Sequence, residues 1–513
     1  MYNRTLTIAL ALVVIALVSM TGCSMIPEYQ RPELPVTKVW PSGNAYPETQ
    51  VNEQTQTAPA SNATASDATA PVATASDATA SDATSPVATA PDAMVSDIAW
   101  KDYFKSNHLK ALIRRTLENN RNLRMAVLTI ERAKAAYRIQ RSNSLPTIAG
   151  AGSAARTGIP EDISATGKSA TSSTLSANLA MTSYELDFFG RVKSLNQAAL
   201  ETYLATEEAA LNTRIALIAQ TSDAYMAYLA YKKLLLLAKD TLSAQQATYA
   251  VVQLQYEVGS ATQLDLAQAA TSVERARISI AQYTRLTAQA KNAIVLLAGA
   301  GVEDLLDNAE TIDTVQFMED IPTGLPSTIL LARPDIKGAE HRLKAANADI
   351  GAARAALYPS ISLTGSFGLA SDSLSSLLSS GAAWAWNIAP AVSIPIFNRD
   401  GLNANLDTAL ASEKMAVTEY EAALQTAFRE VADQLAARGT FQYQLAAQNA
   451  LVDASQKAYE LSNARYQDGI DNFLTVLDSQ RSLFSAQQNA VTVKQAYLSN
   501  LVSLYKVLGG GQL

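Results

Sequence analysis

The sequence has a single cysteine, Cys23, and two histidines, His108 and His341, among its 513 residues. One thiol excludes an intrachain disulfide and a cysteine-based metal site. Neither histidine belongs to a cluster of cysteines or carboxylates, and there is no glycine-rich phosphate loop, G-x-S-x-G or H-E-x-x-H motif. These absences predict a protein that is not an enzyme and that has no metal site and no cofactor.

The chain also lacks an excess of positive charge and long hydrophobic runs. It has 40 Lys and Arg against 47 Asp and Glu, a net charge of −7 and a pI near 5.2, which argues against nucleic acid as a partner. After Cys23 there is no apolar run of 18 or more residues, so no transmembrane helix is expected. Insertion into a membrane beyond an attached lipid would therefore require β-strands.

The first residues predict export from the cytoplasm. A basic residue, Arg4, precedes a mostly apolar stretch from Leu6 to Val18 and then small residues up to Cys23. This stretch is too short to span a hydrocarbon core of about 30 Å, so residues 1–22 are expected to be a signal peptide. "SMTGC" is similar to a bacterial lipobox, which implies diacylglycerol and palmitate on Cys23, and Ser24 then favours sorting to the outer membrane. The alternative is an ordinary signal peptide that happens to precede a cysteine.

Two segments of unusual composition follow. Residues 23–51 begin with the proline-rich "CSMIPEYQRPELPV" and are expected to be extended, lipid-linked and placed along the surface of the body. Residues 52–99 consist largely of Ala, Thr, Ser, Asp and Pro, a composition that cannot bury enough apolar surface to offset chain entropy. We expect a flexible spacer between the lipid and the folded body. A partner-binding or glycosylated stalk is the alternative.

The rest of the chain is an internal sequence repeat of two copies, residues 100–320 and residues 321–508. Landmarks recur at near-constant offsets: Gly259 and Gly469 are 210 residues apart, and Pro146 and Pro359 are 213 apart. Each copy is expected to hold a helix, a β-hairpin, a long helix and a return helix. The expected bounds of hairpin, long helix and return helix are 147–188, 191–258 and 262–297 in the first copy and 360–396, 402–468 and 472–508 in the second, before a tail at 509–513.

Both hairpins alternate apolar residues with small or polar ones. The apolar positions include Leu175, Ala177, Leu179 and Met181 in the first copy and Ile361, Leu363, Phe367, Leu369, Trp384, Trp386, Ile388 and Val392 in the second. Such alternation is typical of the wall of a transmembrane barrel, with Trp384 and Trp386 as interface anchors. The alternative, half-buried strands of a soluble sandwich, leaves four strands without a visible partner sheet.

Four strands cannot close a barrel, because known single-chain bacterial barrels have at least about eight. Open sheet edges are not tolerated in lipid. Several chains must therefore pool their strands, in a number that this argument leaves open.

The long helices are exceptional in length. Arg191–Val258 is 68 residues without Gly or Pro, or roughly 100 Å of helix. Two neighbouring stripes keep heptad spacing: Leu211, Ile215, Ile218, Ser222, Tyr225 and Leu229, and Leu217, Thr221, Ala224, Tyr228, Tyr231 and Leu235. Two stripes favour packing against neighbours on two sides, as in a cylinder of helices, over a simple antiparallel coiled-coil pair.

Three long passages carry a family resemblance. They are "SYELDFFGRVKSLNQAALETYLATEEA", "LLARPDIKGAEHRLKAANADIGAARAALYPSISLTGSFG" and "YQDGIDNFLTVLDSQRSLFSAQ". From about Trp100 to Gly511 the chain resembles the TolC-like outer-membrane factors, in particular the OprM-like lipoproteins that serve resistance–nodulation–division (RND) efflux pumps. The long spacer is a departure from that pattern.

The resemblance implies an α+β membrane protein that assembles as a homotrimer. Twelve strands, four per chain, would form a transmembrane β-barrel, continued by a periplasmic α-barrel of twelve helices. The implied function is the exit duct of a tripartite efflux system for drugs and toxic small molecules. The implied partners are a periplasmic membrane-fusion adaptor, an inner-membrane RND-type pump and outer-membrane lipid.

The resemblance also implies site residues at the periplasmic tip. Leu474 and Asp478 match the constriction of the family, where a carboxylate ring would form the gate, with Arg481 and Asp265 as possible lock partners. Asp471 stands where some relatives carry the arginine of the lock, which puts that lock in doubt. Without the resemblance, Asp478 reads as a solvated carboxylate near a helix start.

Adaptor docking is implied for the two turns "YEVGSATQ" and "YQDGIDNF", through Tyr256, Gly259, Tyr466 and Gly469. Ordinary helix-turn chemistry, in which Gly supplies a positive φ, explains the glycines equally. Two further functions stay open at this point. One is a passive coiled-coil lipoprotein that spans the periplasm without a pore, and the other is the same fold serving protein or siderophore export.

Overall fold

The fold comes from a computed structural model of the chain. It describes residues 24–37, 40–41, 43, 45–46, 99–165, 167–307, 309–318, 327–378 and 383–510. The expected signal peptide, Cys23 and nearly all of the expected spacer lie outside these residues, as does the expected boundary between the two copies.

Helices account for most of the described chain. The first half contains α1 (Trp100–Tyr103), α2 (Asn107–Asn119), α3 (Arg121–Ser142), strands β1 (Ile148–Ile159) and β2 (Ala170–Leu186), α4 (Arg191–Glu257) and α5 (Gln263–Ala298). The second contains α6 (Glu303–Leu306), α7 (Pro334–Ala355), β3 (Ser360–Ser371), α8 (Leu374–Leu377), β4 (Ala383–Ser393), α9 (Arg399–Gln467) and α10 (Phe473–Val507). Among the described residues, none of these helices is both long and apolar enough to cross a membrane.

The single helix expected before the first hairpin is two helices in the structure, α2 and α3, which are separated at Asn120. Asn120 has an extended ψ of 129° and caps α3 by accepting a hydrogen bond from the Leu123 N–H at 3.0 Å. Its side-chain amide donates to the carbonyl of Leu297 at 2.8 Å. A contact with the end of α5, remote in sequence, therefore sets the bend between α2 and α3.

The long helix α4 is covered on two sides. It packs along both α5 and α7 and also contacts α10, while α9 packs along α10 and α7. From the two heptad stripes, Ile218 and Tyr225 of the first and Leu217 and Tyr228 of the second are buried. Both stripes therefore have packing partners within one chain.

A central core joins the helices near their middle. The rings of Tyr103, Phe104, Phe317 and Tyr505 contact one another with centroids 4.8–6.2 Å apart. The Tyr103 hydroxyl donates to the carbonyl of Leu501 at 2.7 Å, which satisfies its buried polar group. This central core ties α1 to the end of α10.

The four strands form one antiparallel sheet in the order β1-β2-β3-β4. Residues directly opposite each other share a face. The register aligns three rows, Ala177–Leu369–Trp384, Leu179–Phe367–Trp386 and Met181–Gly365–Ile388, and between them Asn178–Gly368–Ala385 and Ala180–Ser366–Asn387. The predicted alternation is confirmed, and it separates an apolar face from a face of small and polar residues.

The apolar face of the sheet is uncovered in the single chain. Trp384 and Trp386 are 70% and 72% exposed, and Phe367 stacks on Trp384 with ring centroids 5.0 Å apart. An exposed apolar surface of this kind marks contact with a membrane or a partner. The register of β2 with β3 shifts between Met181 and Tyr184, near the end of β2 that leads into α4. Such irregularities bend a strand, and the sequence pattern did not predict this one.

Asp223 is a carboxylate buried between α4 and α10, and it makes the fold sensitive to pH. Burial raises the pKa of Asp223 from 3.8 to about 6, against the opposing hydrogen bond from Ser499 and the charge of Lys506. Because folding disfavours the ionised form, the contribution of Asp223 to stability is most favourable below pH 4, falls as the pH rises to about 6, and stays low above it.

Asp223→Asn is therefore expected to raise the free energy of unfolding by about 2–3 kcal/mol at pH 7.5, since one pKa unit corresponds to about 1.4 kcal/mol, and to change it little at pH 4. Thermal unfolding in detergent at the two pH values measures this difference. Asp240→Asn, at an exposed position of the same helix, is the control. An equal gain at both pH values would contradict the assignment.

Candidate functional site: the turns between the long and return helices

Two glycine turns lie at the far ends of the long helices. Gly259 and Gly469 have φ of 76° and 73°, a region that favours glycine. In each turn the residue after the glycine donates its N–H back to the helix at 2.8 Å, from Ser260 to the Gln255 carbonyl and from Ile470 to the Arg465 carbonyl. The same Schellman-type closure thus ends both long helices.

Polar caps start the two return helices. The Thr262 hydroxyl accepts from the Asp265 N–H at 3.2 Å, and the Asp265 carboxylate accepts from the Thr262 N–H at 2.9 Å, a complete capping box. Asn472 accepts from the Thr475 N–H at 3.1 Å. The position of each return helix is therefore fixed at its first turn.

The two turns are joined to each other. The Tyr466 hydroxyl donates to the side-chain carbonyl of Gln255 at 2.7 Å, and the Tyr466 ring lies 5.5 Å from that of Phe473. Below them is a small tip core of buried residues, separate from the central core: Val252, Ala269, Phe473, Val476 and Leu477. Sequence analysis missed Gln255 and Phe473, although the apolar spacing of Phe473, Val476 and Leu477 could have indicated a packed face.

Leu474, Asp478 and Arg481 share one face of α10, because they are four and three residues apart. Leu474 is 46% exposed, and the side chains of Asp478 and Arg481 are more than half exposed and form an ion pair. Asp478 and Arg481 line an open groove of about 600 Å³ that also includes Leu451 and Ser455 of α9. The structure therefore brings the expected gate residues together on an accessible surface.

The other expected lock residues are engaged elsewhere within the described chain. Asp265 belongs to the capping box with Thr262, and Asp471 forms a bidentate pair with Arg465 at 2.7 and 3.0 Å. The hydrogen bond from Arg465 lowers the pKa of Asp471. In the single chain, Asp265 and Arg481 are not brought together, and sequence analysis did not single out Arg465.

The expected docking residues differ in exposure. Tyr256 is 42% exposed, and a Cβ on Gly259 or Gly469 would have no heavy atom of the described residues within 4 Å, apart from the glycine and its two chain neighbours. Tyr466 instead contributes its ring and hydroxyl to the joined turns. The two glycines and Tyr256 thus form an open surface, while Tyr466 supports it.

The fold and its tip define a class of cell-envelope protein in which a sheet with an exposed apolar face continues into very long helices. The chain belongs to the outer membrane efflux protein family, whose sequence model matches residues 112–300 and 325–510. This confirms the resemblance to TolC-like outer-membrane factors. The family consists of efflux channels and is not a family of enzymes.

Named relatives cover nearly the whole chain. The probable efflux pump outer membrane protein TtgC of Pseudomonas putida KT2440 is 43% identical over 490 residues, 96% of this chain and 93% of TtgC. The outer membrane protein OprJ of Pseudomonas aeruginosa PAO1 is 39% identical over 495 residues, again 96% and 93%.

Solved structures share the fold. The open state of the Neisseria gonorrhoeae MtrE outer membrane channel superimposes with a TM-score of 0.79 at 34% identity, covering 95% of this chain and 98% of MtrE. CusC, solved in a study of transmembrane channel formation, gives 0.77 at 37% identity, covering 95% and 100%. These likenesses place the chain in the outer membrane, extending into the periplasm.

Proposed function

We propose that the protein is the exit duct of a tripartite efflux system. It would pass drugs and toxic small molecules from an inner-membrane RND-type pump and a periplasmic membrane-fusion adaptor to the outside. The observation that carries this proposal is the continuity of the exposed apolar sheet with helices of 67 and 69 residues, which at about 1.5 Å per residue reach roughly 100 Å from the sheet. The name of TtgC, a probable efflux pump outer membrane protein, supports the same role.

The duct is formed by three chains. β1 and β4 are the edges of the four-stranded sheet, so each needs a strand from another chain before the sheet can lie in lipid. Three chains give twelve strands in a barrel and twelve helices in a periplasmic cylinder, the arrangement that the family resemblance implies.

The gate lies at the start of α10. Three copies of Leu474 form an apolar ring that narrows the tip, and three copies of Asp478 with Arg481 form a charged ring one turn further on. An apolar ring resists wetting, whereas a charged ring stays hydrated and discriminates between ions. The exposure of all three side chains in the single chain supports this placement.

The adaptor docks at the glycine turns, through Tyr256, Gly259 and Gly469, with Tyr466 holding the two turns together. At the other end of the chain, Cys23 carries the lipid that adds to anchoring in the outer membrane. No residue of the proposal requires a metal or a cofactor.

A cysteine substitution at the tip tests the duct in cells, since Cys23 is the only native cysteine and its sulfur would be blocked by the thioether to diacylglycerol. Leu474→Cys, treated with a short bis-maleimide, is expected to yield cross-linked dimers, because each chain then offers one free thiol and each thiol reacts once. It is also expected to increase dye accumulation to the level of a strain that lacks the gene, because the cross-link holds the tip closed. Leu461→Cys, on the exposed surface of α9, is the matched control and should leave efflux unchanged.

The alternatives predict different results. For a passive coiled-coil lipoprotein, loss of the gene would leave dye accumulation unchanged and cross-linking would have no effect on efflux. For protein or siderophore export, the cross-link would form but would block secretion of that cargo and not of the dye.

A further inference from the structure

The first described segment of the chain lies along α7. The Pro27 carbonyl accepts a hydrogen bond from the Asn347 side-chain amide at 2.9 Å, and the Tyr29 hydroxyl and Arg31 guanidinium both bind Glu340. We call residues 24–37 and 40–41 the N-terminal strap.

The strap runs antiparallel to α7 in a matched register. From Ile26, beside Gly351, to Arg31, beside Glu340, five steps of extended chain accompany eleven steps of helix. At about 3.3 Å and about 1.5 Å per residue, both cover roughly 16 Å. The segment therefore stays in contact with one helix face over about three turns, and its lipid-proximal end lies where α7 continues towards β3.

Glu340 is the polar anchor of this contact. Its side chain is only 9% exposed and accepts from the Arg31 guanidinium at 2.8 and 2.9 Å, from the Tyr29 hydroxyl at 3.2 Å and from Lys344 at 3.1 Å. Burial alone would raise the pKa of Glu340, but the hydrogen bonds from Arg31 and Lys344 outweigh it and the pKa is lowered. Bidentate arginine–carboxylate pairs of this kind are strong and directional.

Gly351 is the steric counterpart of the anchor. A Cβ at this position would stand 2.7 Å from Ile26 Cγ1, 2.9 Å from Ile26 Cα and 2.7 Å from Ser194 Oγ of α4. Because one of these atoms belongs to the backbone, a side-chain rotation cannot relieve the clash. Glycine at position 351 thus lets the strap approach the helix directly.

The other end of the strap reaches the central core. The ring of Trp40 stacks on Phe428 of α9 with centroids 4.7 Å apart, and Leu34 and Trp40 both pack against the central core. Trp100, the first helical residue after residues 47–98, is buried in that same core. The two flanks of the Ala/Thr/Ser/Asp segment are thus both held by the body.

We infer that the face of α7 around Glu340 and Gly351 is a docking site for the strap, and that this contact holds the lipid-proximal end of the chain on the body. The lipid-linked end is then attached to the body by this non-covalent contact and does not depend on the covalent connection through residues 47–98. In sequence this attachment precedes the expected spacer, whose flexibility stays a prediction. The inference is independent of the proposed duct.

Cleavage of the full-length protein tests the inference. A protease site inserted between Ala73 and Thr74 would be cut in mild detergent, and size-exclusion chromatography with mass spectrometry would follow the N-terminal fragment. The fragment of the otherwise unchanged protein is expected to elute with the body. Arg31→Ala is expected to shorten the lifetime of that complex about tenfold, the effect of losing a charge-assisted pair whose carboxylate is 9% exposed and whose guanidinium is 50% exposed.

Two glycines of α7 provide a matched pair for the same experiment. Gly351→Ala is expected to release the fragment because of the clash with Ile26. Gly338→Ala should retain it, because the nearest atoms to its added Cβ, on Glu208 and Ala205, lie at an ordinary 3.6 and 3.7 Å. Both substitutions raise helix propensity equally, so they differ only in the atoms that the added Cβ contacts.

Two results would overturn the inference. Rapid loss of the fragment from the otherwise unchanged protein would show that the strap does not bind by itself. Retention in Arg31→Ala and Gly351→Ala alike would show that α7 is not the site. Arg31→Ala keeps the test valid if Gly351→Ala disturbs the body, since Arg31 belongs to the strap.

Discussion

Leu474→Ser and Asp478→Ala are each expected to increase the single-channel conductance of the protein several-fold in planar bilayers. Serine replaces an exposed apolar side chain by one that binds water, which would lower the free-energy cost of wetting the proposed Leu474 ring. Alanine removes the carboxylate that pairs with Arg481 and so loosens the charged ring. Unchanged conductance in both variants would show that the gate does not lie at the start of α10.

Ion selectivity gives a sharper test of the same ring. Because Asp478 and Arg481 form an ion pair in the single chain, the proposed ring of three chains would be close to neutral. Asp478→Ala leaves three arginines and should shift selectivity towards anions, whereas Arg481→Ala leaves three aspartates and should shift it towards cations. Reversal potentials in a salt gradient measure both shifts.

Glu274→Ala is the matched control for the ring. Glu274 pairs with Arg277 three residues later on α5, the same spacing and chemistry at an exposed site outside the proposed gate. This variant should change neither conductance nor selectivity. A shift as large as that of Asp478→Ala would show that general surface charge, and not the ring, controls the ions.

Arg333→Met is expected to lower the free energy of unfolding by about 2–4 kcal/mol, more than any other substitution proposed for this protein. The Arg333 side chain is 8% exposed and donates to Asp335 at 2.7 and 3.0 Å, to Glu430 of α9 at 2.8 Å and to the Val507 carbonyl at the end of α10 at 2.8 Å. Its removal leaves two carboxylates and a carbonyl without their donor. The carboxylates are about one third exposed, so water recovers part of the loss.

Arg115→Met is the control for this substitution. Arg115 makes a similar set of bonds, two to Asp304 at 2.6 and 2.8 Å and one to the Gly301 carbonyl at 2.8 Å, but its side chain is 30% exposed. Pairs at the surface contribute at most about 1 kcal/mol. Thermal unfolding of the assembled protein should therefore separate the two variants, and equal losses would contradict the role assigned to burial.

Features encoded by local patterns were predictable from the sequence. The alternation from Ile361 to Leu369 needs only the two-residue period of a strand, and the register confirms it. The long helices begin and end within three residues of the expected positions, because glycine turns at Gly259 and Gly469 stop them. The exposed face of Leu474, Asp478 and Arg481 follows from helical spacing alone.

Features set by remote contacts were not predictable. The break at Asn120 depends on the Leu297 carbonyl, which lies 177 positions away in sequence. The pairing of Arg31 with Glu340 joins residues 309 positions apart, and neither residue stands out in composition or periodicity. Whether Asp265 meets a lock partner depends on neighbouring chains, so it stays a prediction.

The two edge strands of the sheet affect how the protein inserts into the outer membrane. In one chain, β1 and β4 each leave a row of backbone N–H and C=O groups without a strand partner among the described residues. Each such group costs several kcal/mol in hydrocarbon, so a lone sheet is excluded from the bilayer interior. Entry into the membrane therefore has to coincide with association, and its rate should rise with more than the first power of chain concentration.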